Sequence, residues 1–358
     1  MTIDEPGVEV LMATLYLTEQ YSVVKVEGEA LRVQPPGGRG QGGPVVRVPL
    51  NKIEQVMVLG DVTLTTPALH ALLERRIAVH YLTAHGRSCG ALIADWGKNT
   101  GVRLAQYALC RDTARSFAVA RQCVAGKLIN MRALLLRYAR GRDDGAVLQA
   151  AAQQIRRCLH ELTRLGPPAD TSDRMHGLGP LLGLEGSASA AYYGMLDSLL
   201  KKPWQFPGRV KRPPTDPVNA LLSFGYSVLT NQVVSLIHSV GLDPGLGVLH
   251  QPGFGKPALA LDLIEAFRPI IVDSVVITMI NTGQIAPGDI DADLGAYRLS
   301  DSARRAFIEK LEARMSEKVL HPLFGYQVSY KRCMELQARL FAKHAQGEIA
   351  RYVPFTVR

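Results

Sequence analysis

The pattern of apolar residues changes near residue 100, and this change constrains the fold more than any other feature. Before it, short runs rich in β-branched residues alternate with turn residues, which predicts β-strands. After it, apolar residues recur every three or four positions to the end of the chain, which predicts helices. The 358 residues therefore predict an α+β protein, with a β-rich domain over 1–98 and a larger all-α domain over 99–358.

The predicted strands of the first domain are short, and a Gly-rich segment lies among them. That segment, Pro35–Gly43, joins strand to strand and no helix follows it, so it predicts a flexible hairpin loop rather than a phosphate-binding loop. One helix is predicted, roughly from Pro67 to Arg75. The predicted strands are Leu11–Leu17, Tyr21–Val26, Leu31–Val33, Val45–Val48, Ile53–Val58, Ile77–Leu82 and Ala91–Ile93.

The predicted helices of the second domain carry apolar stripes and are separated by Gly-rich and Pro-rich segments. One stripe runs from Leu128 to Tyr138 and another from Val218 to Leu236. The separating segments predict inter-helix loops at Gly166–Pro168, Lys202–Pro214, Asp243–Gly255 and Pro287–Asp293.

Charge and cysteine content narrow the class of protein. Lysine and arginine exceed aspartate and glutamate by 41 to 32, and the resulting net charge of +9 favours polyanionic partners. The five cysteines include no C-x-x-C pair, so we expect reduced, mostly buried thiols and a cytoplasmic location. The N-terminal residues lack a signal-peptide pattern, and no membrane-spanning segment is predicted.

The second half of the segment Gly247–Pro269, from Pro257 onward, predicts a helix that is apolar on nearly all sides and therefore buried. Asp262 and Glu265 interrupt it three residues apart, so their carboxylates share one side of the helix and require a cation nearby. Two interpretations stay open. Arg268 could pair with Glu265, or a divalent metal could bind these carboxylates together with a nitrogen of His250.

Glu185 is a second acidic candidate, and it precedes a run of small residues that would let a ligand or another backbone approach closely. Taken alone, a helix-start residue that interacts with the helix dipole is the favoured interpretation over a metal ligand.

Basic residues are concentrated in two places. The run from Arg103 to Arg164 contains twelve Lys or Arg against four acids, which favours a polyanion-binding face over an ordinary solvated one. The second cluster lies near Trp204 and Phe206, an arrangement that suits frayed nucleic acid, although core packing is the favoured role of Trp204. The twelve are Arg103, Arg111, Arg115, Arg121, Lys127, Arg132, Arg137, Arg140, Arg142, Arg156, Arg157 and Arg164. The second cluster is Arg209, Lys211 and Arg212.

A polar stripe follows the second cluster on a predicted helix. Asn219, Ser223 and Tyr226 occupy positions i, i+4 and i+7, where apolar neighbours would otherwise continue. Such residues either bond to the backbone or a neighbouring loop, or contact DNA, and the pattern favours neither.

Three segments, taken in order, resemble the family of CRISPR-associated adaptation endonucleases and integrases. They are LEGSASAAYYG, RVKRPPTDPVNALLSFGYSVL and GVLHQPGFGKPALALDLIEAFRP. The segment VMVLGDVTLTTPALHALLERRIAVHYLTAHGRSCGAL also resembles the end of that family's N-terminal domain, so the resemblance covers nearly the whole chain.

The resemblance implies a β-domain that forms homodimers and a helical catalytic domain that holds one Mg²⁺ or Mn²⁺. It implies the metal ligands Glu185, His250 and Glu265, with Asp262 beside them as an orienting residue. Several family members have Asp where this chain has Glu265. The implied DNA contacts are Arg209, Lys211, Arg212, Asn219, Ser223, Tyr226 and Arg268. The implied partners are double-stranded and branched DNA, and a small ferredoxin-like adaptation protein that bridges two dimers.

The implied reaction inserts a short DNA duplex into a CRISPR repeat array, with a 3′-hydroxyl attacking a phosphodiester. Two other classes remain as alternatives. A catalytically inert DNA-binding scaffold would explain the charge, but not an acidic pair in an apolar helix. A metal-dependent hydrolase of small phosphate esters would explain the acids, but not the twelve-to-four basic excess.

Overall fold

The computed structural model describes residues 8–11, 13–37, 44–94, 99–167, 174–210, 213–293 and 296–357. Within these ranges, the N-terminal region contains two sheets, one α-helix, α1 (Thr66–Glu74), and a 3-10 turn at Leu50–Lys52. The strands are β1 (Val8–Leu11), β2 (Ala13–Leu17), β3 (Val23–Glu27), β4 (Ala30–Gln34), β5 (Val46–Pro49), β6 (Ile53–Leu59), β7 (Thr63–Leu64), β8 (Ala78–Leu82) and β9 (Ser88–Leu92).

The two sheets are mixed. The larger has the order β1-β2-β6-β8-β9, with parallel pairs in the middle and antiparallel pairs at both edges. The smaller has the order β5-β4-β3-β7. Strands β4 and β5 pair antiparallel, so Pro35–Gly43 does join strand to strand as predicted, although residues 38–43 lie outside the described ranges.

Side-chain alternation places the larger sheet between two cores. Leu15, Leu17 and Val56 pack into the core of the β-rich region, while Tyr16 and Met57 belong to the core of the helical region. Successive side chains on a strand point to opposite faces, so one sheet serves both cores. The β-rich region therefore packs directly on the helices.

Helices dominate the rest of the described chain, so the predicted fold class, β-rich followed by helical, is confirmed. The helices are α2 (Thr100–Arg111), α3 (Thr113–Ala139), α4 (Gly145–Arg164), α5 (Arg174–Tyr193), α6 (Pro217–Val240), α7 (Ala258–Ile264), α8 (Ser274–Asn281), α9 (Asp301–Ser316) and α10 (Tyr330–Ala345), with a π-helical turn at Pro269–Asp273. The division at residue 98 stays a prediction; β9 ends at Leu92 and α2 begins at Thr100.

The prediction that this region is entirely helical was too simple. It contains two short hairpins, β10 (Ile290–Asp293) with β11 (Ala296–Leu299), and β12 (Lys318–Leu320) with β13 (Gln327–Ser329). The segment Pro287–Asp293, predicted as a loop, thus contains a strand. Ile290 pairs with Leu299 and both are buried. Each strand has four residues, so alternation along it is too short to stand out from the helical periodicity around it.

Helix α6 crosses the centre of the helical region. Contrary to the sequence expectation, it is long and apolar enough to span a membrane, but 67% of its most apolar stretch is buried inside the protein. Asp216 caps its start by accepting the backbone N–H of Asn219 at 2.8 Å, and Gly241 ends it with φ of 90°. It is therefore a core helix of this fold.

The cysteines match expectation. Cys110, Cys123, Cys158 and Cys333 are buried, Cys89 is exposed, and all five are free thiols.

Candidate functional site

Two glutamates that are far apart in sequence meet at one buried ammonium. Glu185 lies on α5, Glu265 directly follows α7, and Lys127 lies on α3. The Lys127 Nζ atom is 2.7 Å from Glu265 Oε2 and donates a hydrogen bond to Glu185 Oε1. Ser189 Oγ also donates to Glu185, at 2.8 Å. The predicted pair of carboxylates, Glu185 and Glu265, therefore converges on a single cation.

His250 is held beside this cluster by Asp262. The His250 Nδ1 atom is 2.8 Å from Asp262 Oδ1, and the Nε2 atom lies 3.9 Å from Glu265 Oε1. An N–H at Nδ1 donates to the carboxylate, so Nε2 keeps the free lone pair and faces Glu265. Asp262 also accepts the backbone N–H groups of Val248, Leu249 and His250, and its side chain is fully buried. This geometry supports the predicted orienting role of Asp262.

Gly247 allows the loop before His250 to pack closely against the Asp262 side chain. A Cβ atom at Gly247 would lie 2.5 Å from Asp262 Oδ2 and 2.7 Å from the Ala258 carbonyl carbon. No larger residue fits without moving the backbone, so the loop closes over Asp262 only because residue 247 is glycine.

The cluster is ionised although it is buried. Burial alone would raise the pKa of Glu265, but Lys127 and Arg268 hold it well below its ordinary value. Burial would likewise lower the pKa of Lys127, yet Glu265 and Glu185 raise it. Glu265 is therefore ionised at neutral pH.

Arg268 is the second cation that contacts Glu265. Its Nη1 atom donates to Glu265 Oε1 at 2.8 Å, and its guanidinium carbon lies 4.0 Å from the centroid of the Tyr226 ring. The Tyr226 hydroxyl donates to Asp273 and lies 3.0 Å from the Tyr193 hydroxyl. Tyr226 is thus a buried support for Arg268, and its predicted DNA contact stays a prediction.

The polar stripe on α6 anchors a neighbouring loop. Asn219, fully buried, donates to the Gly208 carbonyl at 2.7 Å and accepts from Arg209 Nη1 at 2.6 Å. Ser223 Oγ accepts from Arg209 Nη2 at 3.1 Å. Of the two interpretations left open for these residues, the structure shows the bond to a loop, while Arg209 also lies 5.4 Å from the Tyr226 centroid at the edge of the site. Lys211 and Arg212 lie outside the described residues.

Lys127 corrects the sequence analysis, which placed it in the polyanion-binding face. Its residue surface is 6% exposed, because it lies among the buried residues Val124, Leu128 and Met131 of α3. A lone cation on an apolar stripe was the signal that could have identified it. The charged face is smaller than predicted for a further reason: Arg115 and Arg121 donate to backbone carbonyls. The members that remain exposed are Arg111, Arg137, Arg140, Arg142, Arg156, Arg157 and Arg164.

The aromatic neighbours of the second basic cluster are also buried. Trp204 is 5% exposed and Phe206 4%, which confirms core packing for Trp204. Neither ring is available to stack on a base.

The donor set fits one divalent cation, although it does not form a preformed cage. Among the described residues, no three His, Cys, Asp or Glu side chains are close enough to hold a metal as they stand. However, Glu265 Oε2 is buried and forms an ion pair with Lys127, but it has no hydrogen bond of good geometry within the described ranges. The carboxylates of Glu185 and Glu265 and a nearby imidazole nitrogen are ligand types that Mg²⁺ or Mn²⁺ accepts.

Comparison with known proteins identifies the family of this chain. The family model described as CRISPR associated protein Cas1 matches residues 15–313. A Cas4/Cas1 fusion of Geobacter sulfurreducens is 37% identical over 96% of this chain, which spans 60% of that relative's length. The CRISPR-associated endonuclease Cas1 1 of Moorella thermoacetica is 33% identical over 98% of this chain and 99% of its own.

Solved structures show the same fold. A Cas1 protein from Thermotoga maritima aligns with a TM-score of 0.77 at 25% identity, covering 96% of this chain and 98% of that one. A chain of a Cas6-RT-Cas1–Cas2 complex aligns with a TM-score of 0.78 at 26% identity, covering 99% of this chain and 37% of that one. With a family match over most of its length and a relative of nearly equal extent, this chain belongs to the CRISPR-associated protein Cas1 family.

Proposed function

We propose that this chain is a divalent-metal-dependent DNA endonuclease and integrase that inserts short DNA segments into a CRISPR repeat array. One observation carries the proposal: Glu185 and Glu265 converge on one cation beside an imidazole that Asp262 orients. The relative from Moorella thermoacetica is named an endonuclease, which supports a nuclease activity.

Glu185, Glu265 and the Nε2 atom of His250 would hold Mg²⁺ or Mn²⁺. When bound, a divalent cation polarises the phosphate and stabilises charge on the attacking and leaving oxygens. Asp262 would keep the Nε2 atom of His250 directed at the cation, because its Oδ1 atom accepts a hydrogen bond from the Nδ1–H group.

Arg268 would bind the reacting phosphate. It stays charged, since Glu265 and other neighbours raise its pKa well above the ordinary value despite burial, and its Nε atom has no hydrogen-bond partner in the part of the chain that the structure describes. A guanidinium with free donors matches the oxygens of a phosphate. In the proposed reaction, Arg268 orients the target phosphodiester while a DNA 3′-hydroxyl attacks it.

Several partners belong to the same proposal. Double-stranded and branched DNA would lie on the exposed arginines of α3 and α4. The β-rich region would form a homodimer, and a small ferredoxin-like adaptation protein would bridge two dimers. The aligned complex is named for Cas2 as well as Cas1, which supports a partner of this kind.

The test separates catalysis from binding. Replacing Glu265 or His250 by Ala should reduce strand transfer and nicking of branched DNA by more than about a hundredfold, with duplex affinity nearly unchanged, because the bound metal acts mainly in the transition state. Glu312→Gln, which alters an equally buried carboxylate outside the site, is the matched control. If the Glu265 variant transferred strands at the wild-type rate, the proposed catalytic site would be wrong. The catalytically inert DNA-binding scaffold would then be the better explanation.

DNA binding is tested separately. Replacing Arg209, Lys211 and Arg212 together should weaken duplex binding and lower the slope of log affinity against log salt by up to about 0.9 per lost phosphate contact. Arg209 also anchors Asn219 and Ser223, so the double variant of Lys211 and Arg212 distinguishes lost contacts from a disturbed loop. An unchanged salt slope in both variants would exclude this loop from the DNA interface.

A further inference from the structure

Lys127 occupies a position that needs a functional explanation. Lysine is almost never fully buried unless it is paired, and this one contacts both proposed metal ligands, Glu185 and Glu265. Lys127 has no role in the proposed reaction.

The backbone around Lys127 fixes the ammonium at the site. A Cβ atom at Gly126 would lie 2.7 Å from the Pro354 Cβ atom and 3.2 Å from the Ala266 Cβ atom, so glycine lets α3 pack closely on Pro354 and on the turn after Glu265. One turn further on, Asn130 Nδ2 donates to the carbonyls of Ala266 at 2.6 Å and Phe355 at 3.0 Å. Helix α3 therefore cannot slide to remove the ammonium from the carboxylates.

The charges require a cation at this place. Buried carboxylates are costly unless they are paired. Arg268 contacts Glu265 Oε1, whereas Glu185 bonds to Lys127 and Ser189 among the described residues. Without Lys127, Glu185 would lose its cationic partner, and Glu265 would keep Arg268 alone.

We propose that Lys127 is the resident counter-ion of the metal-free site: its ammonium holds Glu185 and Glu265 in place, and a divalent cation must displace it from Glu265 to bind. This inference rests on the proposed metal site. An ammonium and a divalent cation repel strongly where water is scarce, so both cannot lie between the same carboxylates. The poorly aligned contact at Glu265 Oε2 is the one that yields.

Calorimetric titration with Mn²⁺, without DNA, tests the proposal. Lys127→Met keeps the length of the side chain and removes the charge, so it should bind Mn²⁺ about tenfold more tightly than wild type. Arg137→Met removes one exposed charge from the same helix and should change the affinity by less than about threefold, because solvent and salt screen that charge. Equal affinities for the two variants would overturn the proposal.

A second measurement does not depend on the Met variant folding. In a crystal structure of the wild-type protein with Mn²⁺, the Lys127 Nζ atom should no longer contact Glu265 Oε2. A bound Mn²⁺ with that contact intact would overturn the counter-ion role while leaving the metal site established. Glu185→Gln should weaken Mn²⁺ binding. If neither wild type nor Lys127→Met bound Mn²⁺, the proposed function itself would fail, and the counter-ion role with it.

Discussion

Two buried glutamates in this protein behave in opposite ways. Glu265 is 3% exposed and Glu312 is 1% exposed, yet the pKa of Glu265 is held below its ordinary value while burial raises that of Glu312 to about 7. Glu265 contacts two cations, Lys127 and Arg268. The neighbours bonded to Glu312 are neutral. Burial alone therefore does not decide the charge of a carboxylate; the partners do.

The surroundings of Glu312 explain its role. It lies on α9, where the Tyr16 hydroxyl donates to its Oε1 atom and Gln232 Nε2 donates at 2.9 Å, while Oε2 has no hydrogen-bond partner among the described residues. Lys331 lowers its pKa and Glu54 raises it, both by less than burial does. This cluster joins the larger sheet to the helices. A docking surface between two regions can use a neutral carboxyl, whereas a site for a metal needs an ionised one.

The largest expected effect that tests this contrast is on stability without metal. Glu265→Gln removes the carboxylate that Lys127 and Arg268 both contact, so it should lower the free energy of unfolding by about 3–5 kcal/mol in urea denaturation with EDTA at pH 7.5. Glu335→Gln, which removes an ion pair from exposed arginines, should cost less than about 1 kcal/mol. Similar losses in the two variants would contradict the assignment of Glu265 to a charged cluster.

Glu312→Gln should raise the free energy of unfolding rather than lower it, and the size of this change should depend on pH. Because the folded state binds the proton more tightly than the unfolded state, stability contributed by this group falls as pH rises from about 4.5 to about 7. The variant should thus be more stable than wild type by up to about 3 kcal/mol at pH 8. The difference should vanish below about pH 4.5, where both states of the wild-type carboxyl are protonated. Urea midpoints at several pH values measure this, and a constant difference across pH would disprove it.

Tyr16→Phe should give the smallest effect. It removes the hydroxyl that donates to Glu312 and accepts from Gln232 Nε2 at 2.6 Å, which should cost about 1–2 kcal/mol. The loss should be greater at pH 8 than at pH 5, because that hydroxyl stabilises the ionised carboxylate. Thermal unfolding at both pH values measures it; an equal loss at both would mean that Glu312 does not titrate in this range.

The local sequence pattern predicted the helices and strands better than it predicted which residues contact one another in the folded protein. The runs Ile53–Val58 and Ile77–Leu82 became β6 and β8 with small changes at their ends. The hairpin at Ile290–Leu299 escaped prediction, since a strand of four residues gives too few periods to detect. For the site, the sequence brought forward Glu185, His250, Asp262 and Glu265, but assigned Lys127 to a surface.

The sequence by itself determined that the segment with Asp262 and Glu265 needs a cation nearby. Asp262 and Glu265 share one side of an apolar segment, and repulsion between them follows from their spacing alone. Only the tertiary structure decided how each charge is satisfied. Asp262 took backbone N–H groups and His250, while Glu265 took Arg268 and a lysine from a helix far earlier in the chain. Periodicity reports which side of an element is apolar, but the choice of a buried partner depends on which distant element packs there.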